Sequence, residues 1–243
     1  MKNIYNKTQL HPEIAFERHV FHRDMFAHVI RWTHVLKNAK IGMKILDFGC
    51  GNANLLELLY RNRYKGSNYL GLDIRNITIN KNKEKFNNID WAQFKVDDLV
   101  NSQNYGDHWD IIVCFEVIEH IGKHNINNFL QSIKKHMNPN TILFLSTPKY
   151  DEHVGAANNH IIDGKVGELT EEELETLFIN NGFKIEKKYG TFASIKDYKH
   201  KLNDWQQKMY DNLKDYYDTN LLSVIMAPFF PSESRNILWR CKI

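Results

Sequence analysis

The chain has little cysteine. Cys50, Cys114 and Cys241 are all it carries in 243 residues. An odd number with no C-x-x-C spacing argues against a disulfide scaffold and against a thiolate zinc site, and it implies a reducing, cytoplasmic setting. Long apolar runs are also missing. The opening stretch MKNIYNKTQLHPEIAF has no apolar h-region, and no later stretch approaches the roughly 20 apolar residues a bilayer span requires. A soluble protein with no membrane partner is expected. An excess of one charge is lacking too: the net charge is +3 with 25% charged residues, so composition gives no strongly basic face for nucleic acid. Acidic partners are neither required nor excluded. Repeats and low-complexity linkers are absent, and the length suits one domain with a full core.

What is present is a regular alternation. The first 40 residues read as a helix, with Phe16, Val20, Phe21, Met25, Phe26, Val29, Ile30, Trp32 and Val35 recurring near the 3.6 period. Short apolar runs follow: KILDF from Lys44, then SNYLGLDI, WAQFKV, WDIIVCFEV and TILFLSTP, each separated by enough chain for a helix. That pattern predicts a parallel α/β sheet. The segment TEEELETLFINNG opens with Thr170 and Glu173 as a capping box and stops at Gly182. Two strand-like runs, FKIEKKYGTFAS and RNILWRCKI, are placed to pair antiparallel at one sheet edge. Residues 191–233 between them are too long for a hairpin and read as an inserted helix plus a loop over the carboxyl edge of the sheet, where open α/β sheets bind ligands.

The run ILDFGCGNANLL, Ile45 to Leu56, places Asp47, Gly49 and Gly51 at the carboxyl end of the first strand. Missing side chains there let a ligand approach the backbone, and the next helix offers its N–H groups. A dinucleotide turn wants glycine three residues after Gly51, and Asn54 stands there, so an NAD-type fingerprint is incomplete. The stretch resembles instead motif I of class I S-adenosylmethionine-dependent methyltransferases, with Ala53 in place of the last glycine. The resemblance continues along residues 41–190. Asp73 ends strand two, where the family's acid meets the ribose hydroxyls, and a carboxylate suits two vicinal O–H donors. Asp97 and Asp98 follow strand three, where an acid or amide meets the adenine amino group, and both stay open. Taken singly, Asp73 also reads as a turn acid and Asp97–Asp98 as a solvated turn. The resemblance implies a Rossmann-like fold with a mostly parallel seven-stranded sheet, in one domain: a helical cap at 1–40, a cofactor core at 41–190, a helical lid at 191–233 and a last strand at 234–243.

DNA base methylation is disfavoured. FEVIEH stands where amino-methylating DNA enzymes carry Pro-Pro, STPKY comes a strand too late, and Cys114 precedes Phe115 with no proline. Glu116, Glu119 and His120, three and four apart, are expected to share the cleft side of a helix. This set resembles that of small-RNA 2′-O-methyltransferases and ubiquinone-pathway O-methyltransferases, which implies a divalent ion such as Mg²⁺ or Mn²⁺ held by Glu116, Glu119, His120 and a later histidine. His160 is preferred over His153, although IIDGKVGEL is longer than the corresponding segment of the RNA enzymes. The same residues also occur without metal, with Glu116 bordering the cofactor and His120 facing the substrate as base. Glu119 and His120 are the catalytic candidates.

Two further regions bear on substrate choice. Arg18, His19, His22, Arg23 and Arg31 lie on the first helix, either as a solvated face or as partners of the methionine carboxylate or a substrate anion. Trp205, Tyr210, Tyr216 and Tyr217 in the insertion are either stacking groups or ordinary packing. The reading is a methyltransferase acting on a hydroxyl or similar nucleophile of a small molecule or nucleotide. RNA 2′-O-methylation and non-catalytic S-adenosylmethionine binding are the alternatives.

Overall fold

A computed structural model describes residues 23–62, 65–66, 68–152, 155–156 and 160–243. They divide into a larger unit, 35–188 with 238–243, and a smaller one, 23–34 with 189–237.

The larger unit is built on β1 (Lys44–Phe48), β2 (Asn68–Asp73), β3 (Ala92–Val96), β4 (Ile111–Phe115) and β5 (Ile142–Pro148). With β8 (Lys184–Gly190) and β9 (Asn236–Lys242) they form one mostly parallel seven-stranded sheet in the order β3-β2-β1-β4-β5-β9-β8. The terminal strand β9 is therefore interior, and β8 rather than β9 is the edge. The pairs β1–β2, β2–β3, β1–β4 and β4–β5 are all parallel. Strands β1, β4 and β5 are near-continuous apolar runs because both faces are covered: Ile45, Leu46, Ile111, Ile112, Val113, Leu143, Phe144 and Leu145 are all buried. The edge strand β3 buries only Phe94. Helix α2 (Asn54–Arg61) contributes Leu55, Leu56 and Leu59, and α4 (Ile126–Lys134) contributes Phe129, Leu130 and Ile133. Phe129 meets Phe48 edge-on at 5.9 Å. Helix α3 (Asn76–Lys85) links β2 to β3. The strand order reverses between β1 and β4, which opens a crevice at their carboxyl ends.

After β5 a small hairpin, β6 (Ile161–Ile162) and β7 (Lys165–Val166), turns through Asp163 at φ 51° and Gly164 at φ 74°. Two positive φ values at Asp-Gly are what a two-residue hairpin turn demands, so IIDGKV carried a hairpin signal. Helix α5 (Glu171–Asn180) follows with the expected capping box: the Glu173 N–H donates to Thr170 Oγ1 at 3.1 Å, and the Thr170 N–H donates to Glu173 Oε2 at 2.8 Å.

Helix α1 (Arg23–Asn38) spans the two units. Phe16, Arg18, His19, Val20, Phe21 and His22 lie outside the described residues. The solvated-face reading fails at Arg31, which is buried, whereas Val29 is exposed. Burial, then the charge of Arg31, lower the His28 pKa to about 3, so its neutral Nδ1 accepts from Arg31 Nη2 at 2.5 Å.

In the smaller unit, α6 (Ile195–Tyr198), α7 (Asp204–Leu213) and α8 (Thr219–Met226) replace the expected single helix plus loop. Asn203 starts α7 in a capping box with Gln206, and Asp218 accepts from two N–H groups of α8. Tyr198, stacked on Phe230 at 4.6 Å, forms a core with Ala193, Met226 and Ala227. Tyr210 packs against it, whereas Trp205, Tyr216 and Tyr217 are exposed, Trp205 meeting the Phe229 ring edge-on at 5.9 Å. Among the described residues no helix is long and apolar enough to cross a membrane.

Ala53, immediately before α2, stands in the left-handed region at φ 52°, ψ 40°. An L-residue pays about 1–2 kcal/mol there, and glycine's extra unfolded-state entropy returns about 0.5–1 kcal/mol of that. Ala53 is fully buried, so glycine also gives up a buried methyl, about 0.8 kcal/mol, and Ala53→Gly is expected to leave the urea unfolding free energy within about 1 kcal/mol of the parent's. A loss of more than about 1.5 kcal/mol would show that Ala53 carries no strain for glycine to relieve.

Candidate active site

The glycine turn is tied to the end of β2. The N–H groups of Gly49 and Cys50 both donate to the Leu72 carbonyl, at 2.9 and 2.8 Å. The Gly51 N–H donates to Asp73 Oδ2 at 3.0 Å, and the Gly51 carbonyl accepts from the buried Asn82 Nδ2 at 2.7 Å. Gly49 sits at φ +90°, and a Cβ there would meet Val117 Cγ2 at 2.3 Å. Glycine is thus required twice over, by its dihedral and by the close approach of the turn after β4. Gly51, at φ +50°, faces open space with only Arg75 Nη2 at 3.8 Å from a built Cβ. Asp73 is buried, and its Oδ1 accepts from the Arg75 N–H at 2.9 Å and Nε at 3.1 Å.

These residues open on a cavity of about 490 Å³ at the carboxyl ends of β1, β2 and β4. Gly49, Asp73, Ile74 and Arg75 line one side; Asp98, Leu99 and Val100 line another; Glu116, Val117, His120 and Ile121 complete it. The loop bearing Asp98 is held from behind. Asp97 is turned inward, accepting from Ser102 Oγ at 2.6 Å and the Gln103 N–H at 3.2 Å. Ser132 Oγ donates to the Val100 carbonyl at 2.8 Å, and the Lys135 ammonium donates to the Ser102 carbonyl. His136 is fully buried, with Nδ1 2.7 Å from the Ser132 carbonyl and Nε2 3.2 Å from the Tyr105 N–H. Nε2 also lies 2.9 Å from the Gln103 carbonyl, and burial lowers the pKa of the ring.

The turn after β4 is a 3₁₀ turn, Ile118–His120, not the expected α-helix. Its three candidate residues diverge. Glu116 stands at φ 55° and accepts from Ser146 Oγ at 2.9 Å. Glu119 is buried, and its Oε2 accepts from Thr147 Oγ1 at 3.0 Å. His120 is exposed on the cavity. His160 approaches His120 edge-on with ring centroids 4.8 Å apart. Ligand atoms of Glu119, His120 and His160 all lie within 4.8 Å of one another. Glu116 is not in that group, so three of the four expected ligands are brought together.

Of the expected cofactor residues, Gly49, Asp73, Asp98 and Glu116 line the cavity, while Asp47, Gly51 and Asp97 do not. Gly51 acts through its N–H on Asp73, and Asp97 braces its own loop. Asp47 faces the buried Tyr69, whose hydroxyl donates to Oδ2 at 2.6 Å. His153 lies outside the described residues. Arg75, Asn82, Val117 and Glu168 were not anticipated. Arg75 stands two residues after Asp73, but Asn82 lies on a helix with no apolar rhythm to mark its inner face.

A family model described as a methyltransferase domain matches residues 21–188. The chain belongs to that family. Among curated relatives, the ubiquinone biosynthesis O-methyltransferase of Actinobacillus pleuropneumoniae is 30% identical over 116 residues, 45% of this chain and 47% of that protein. That of Rickettsia akari is 32% identical over 109 residues, 43% of this chain and 40% of that one. The methyltransferase-family chain thus spans about half the length of the curated relatives it matches. An S-adenosylmethionine-dependent methyltransferase from Mesorhizobium loti superposes with a TM-score of 0.60 at 14% identity, covering 91% of this chain and 100% of that one. Phosphoethanolamine N-methyltransferase 2 from Haemonchus contortus, solved with S-adenosyl-L-methionine, gives 0.57 at 12% identity, covering 88% and 52%. At these identities the structures show a shared fold.

Asp47 gives this methyltransferase-family chain a pH dependence. Burial raises its pKa from 3.8 to about 7, the Tyr69 hydroxyl opposes the rise and the charge of Asp73 adds to it. The folded-state value is raised, so the stabilisation is complete below 3.8, where both states are protonated, and is lost as pH rises through about 7. Asp47→Asn cannot ionise and keeps an acceptor for Tyr69. Its stability relative to the parent is expected to grow across that window and to level off above it, in urea unfolding at a series of pH values. A constant difference would place the Asp47 pKa near the ordinary carboxylate value.

Proposed function

We propose that the chain is an S-adenosylmethionine-dependent O-methyltransferase acting on a hydroxyl of a small molecule, with a divalent ion held by Glu119, His120 and His160. The observation that carries this reading is that one cavity has Gly49, Asp73 and Asp98 on one side and Glu116 and His120 on the other. The names of the curated relatives, and the ligand bound by the Haemonchus contortus neighbour, support it.

The cavity fits the cofactor's chemistry. Asp73 presents two carboxylate oxygens for vicinal ribose hydroxyls, with Arg75 yielding the positions it now fills. Asp98 is assigned to the adenine amino group because it lines the cavity, whereas Asp97 is buried behind it and braces the loop through Ser102 and Gln103. Ile74 offers an exposed apolar face to a ring. S-adenosylmethionine supplies a methyl group on a sulfonium, which an oxygen nucleophile displaces in line. The work left to the protein is to hold the hydroxyl in that line and to take its proton. His120, exposed on the cavity, is placed to take that proton when no ion is bound; as a ligand of the ion its lone pair is committed, and its part is then to help hold the hydroxyl through the ion.

Two imidazoles and one carboxylate make a donor set that suits Mn²⁺ or another transition ion better than Mg²⁺. Such an ion lowers the pKa of a coordinated hydroxyl and fixes its oxygen. Glu116 is left to border the cofactor.

Calorimetry with S-adenosylmethionine and S-adenosylhomocysteine tests the first half. Asp73→Ala is expected to weaken binding by about 1.5–3 kcal/mol, the scale of hydrogen bonds to a charged acceptor, with circular dichroism confirming the fold. Absence of binding by the parent protein would sink the reading. For the metal, methyl transfer should stop in chelator and return with Mn²⁺ more fully than with Mg²⁺. His120→Ala and His160→Ala should each cut turnover at least about tenfold and leave cofactor affinity within about twofold. Full activity in chelator would remove the metal and leave the methyltransferase.

A further inference from the structure

We propose that Glu168 is a positioning residue: it locks the His160 imidazole with Nδ1–H donated to its carboxylate and turns Nε2 toward His120 and Glu119. The proposal deepens the metal reading above and rests on it for its functional consequence.

Glu168 lies just past β7 and is 1% exposed. Its Oε1 is 2.7 Å from His160 Nδ1. A carboxylate this deeply buried requires a charge-compatible donor, and the imidazole supplies one. With Nδ1 taken, Nε2 is the nitrogen His160 has left for the Glu119–His120 group. Carboxylate–imidazole pairing of this kind fixes the tautomer and makes the outward nitrogen a stronger donor to a cation.

The hairpin makes the pairing possible. The Gly167 N–H donates to the His160 carbonyl at 2.7 Å, closing the ladder begun by Ile161 with Val166 and Ile162 with Lys165. Residues 160 and 168 are thereby brought to one end of the hairpin. That end is pressed against the 3₁₀ turn, since a Cβ on Gly167 would stand 2.1 Å from the Glu119 carbonyl oxygen. Only glycine lets the backbone approach Glu119 so closely. The approach sets His160 beside His120, and Glu168 then sets the angle of the ring.

The experiment compares Glu168→Gln, Glu168→Ala and His160→Ala in the full chain. Nitrogen-15 spectra of the metal-free protein, at a pH where His160 is neutral, should show the Nδ1–H tautomer in the parent. Glu168→Gln offers an amide oxygen of similar size and should keep that tautomer, whereas Glu168→Ala should shift it toward Nε2–H. Mn²⁺ binding, followed by electron paramagnetic resonance, should weaken about 10–100-fold in Glu168→Ala and less in Glu168→Gln. Glu168→Ala added to His160→Ala should weaken it no further. S-adenosylhomocysteine affinity should stay within about twofold throughout. An unchanged tautomer and unchanged Mn²⁺ affinity in Glu168→Ala overturn the proposal. Should that variant not fold, Glu168→Leu, which fills the space without an acceptor, takes its place: an unchanged tautomer and unchanged Mn²⁺ affinity overturn the proposal. A parent that binds no Mn²⁺ but shows the tautomer shift overturns the metal reading and upholds the lock.

Discussion

The Asp73 carboxylate is the point on which the site depends. One oxygen receives the Gly51 N–H and the other the Arg75 N–H, so a single side chain closes the turn after β1 and the turn after β2. Hydrogen bonds to a charged acceptor are about twice as strong as neutral ones, and here they cross between two adjacent parallel strands. Asn82 adds a second tie by donating to the Gly51 carbonyl from α3. The glycine turn is therefore held from two sides before any ligand arrives, and the cavity wall it forms is preorganised.

Close packing against that turn explains the backbone strain around it. Val117 occupies the space a Cβ on Gly49 would need, which lets the chain after β4 pass directly over the chain after β1. Glu116 enters that passage at φ 55°, a costly region for a glutamate. Its N–H donates to the Ser146 carbonyl at 2.9 Å, and its carboxylate accepts from the Ser146 hydroxyl. Those two bonds hold the strained residue facing the cavity. The opposite wall is less strained and more braced, with Asp97, Ser132, Lys135 and His136 all fastening the loop that carries Asp98.

Elements with a local chemical signature were legible in the sequence. The apolar runs marked the sheet, Thr170 with Glu173 marked the start of α5, and the glycine spacing with Asp73 marked one wall of the cavity. What escaped depended on tertiary approach. Nothing near Asp97 and Asp98 says which turns inward; that is decided by Ser102 and Gln103 folding back on the first of them. The three-and-four spacing of Glu116, Glu119 and His120 implied one shared face, but a tight 3₁₀ turn splays them, sending Glu119 inward to Thr147. The Asp-Gly hairpin and the Asn203 and Asp218 caps had readable signals. The close approach of Gly167 to Glu119 had none, because it joins segments 48 residues apart. In helix α1, Arg31 also reads as part of a charged surface face, yet it is buried with its guanidinium bonded to His28.

The charges around the cleft point to the kind of ligand it favours. Three carboxylates, Asp73, Asp98 and Glu116, line the cavity with one guanidinium, that of Arg75. Asp47 lies behind them; burial raises its pKa, and the charge of Asp73 adds to the rise. In a partly enclosed, low-dielectric space the field of these carboxylates is weakly screened. It favours a cation in the cleft and disfavours an anion. Under the proposed function a sulfonium donor satisfies that field and the neutral thioether left after methyl transfer satisfies it less, so the field would favour the charged donor over its product.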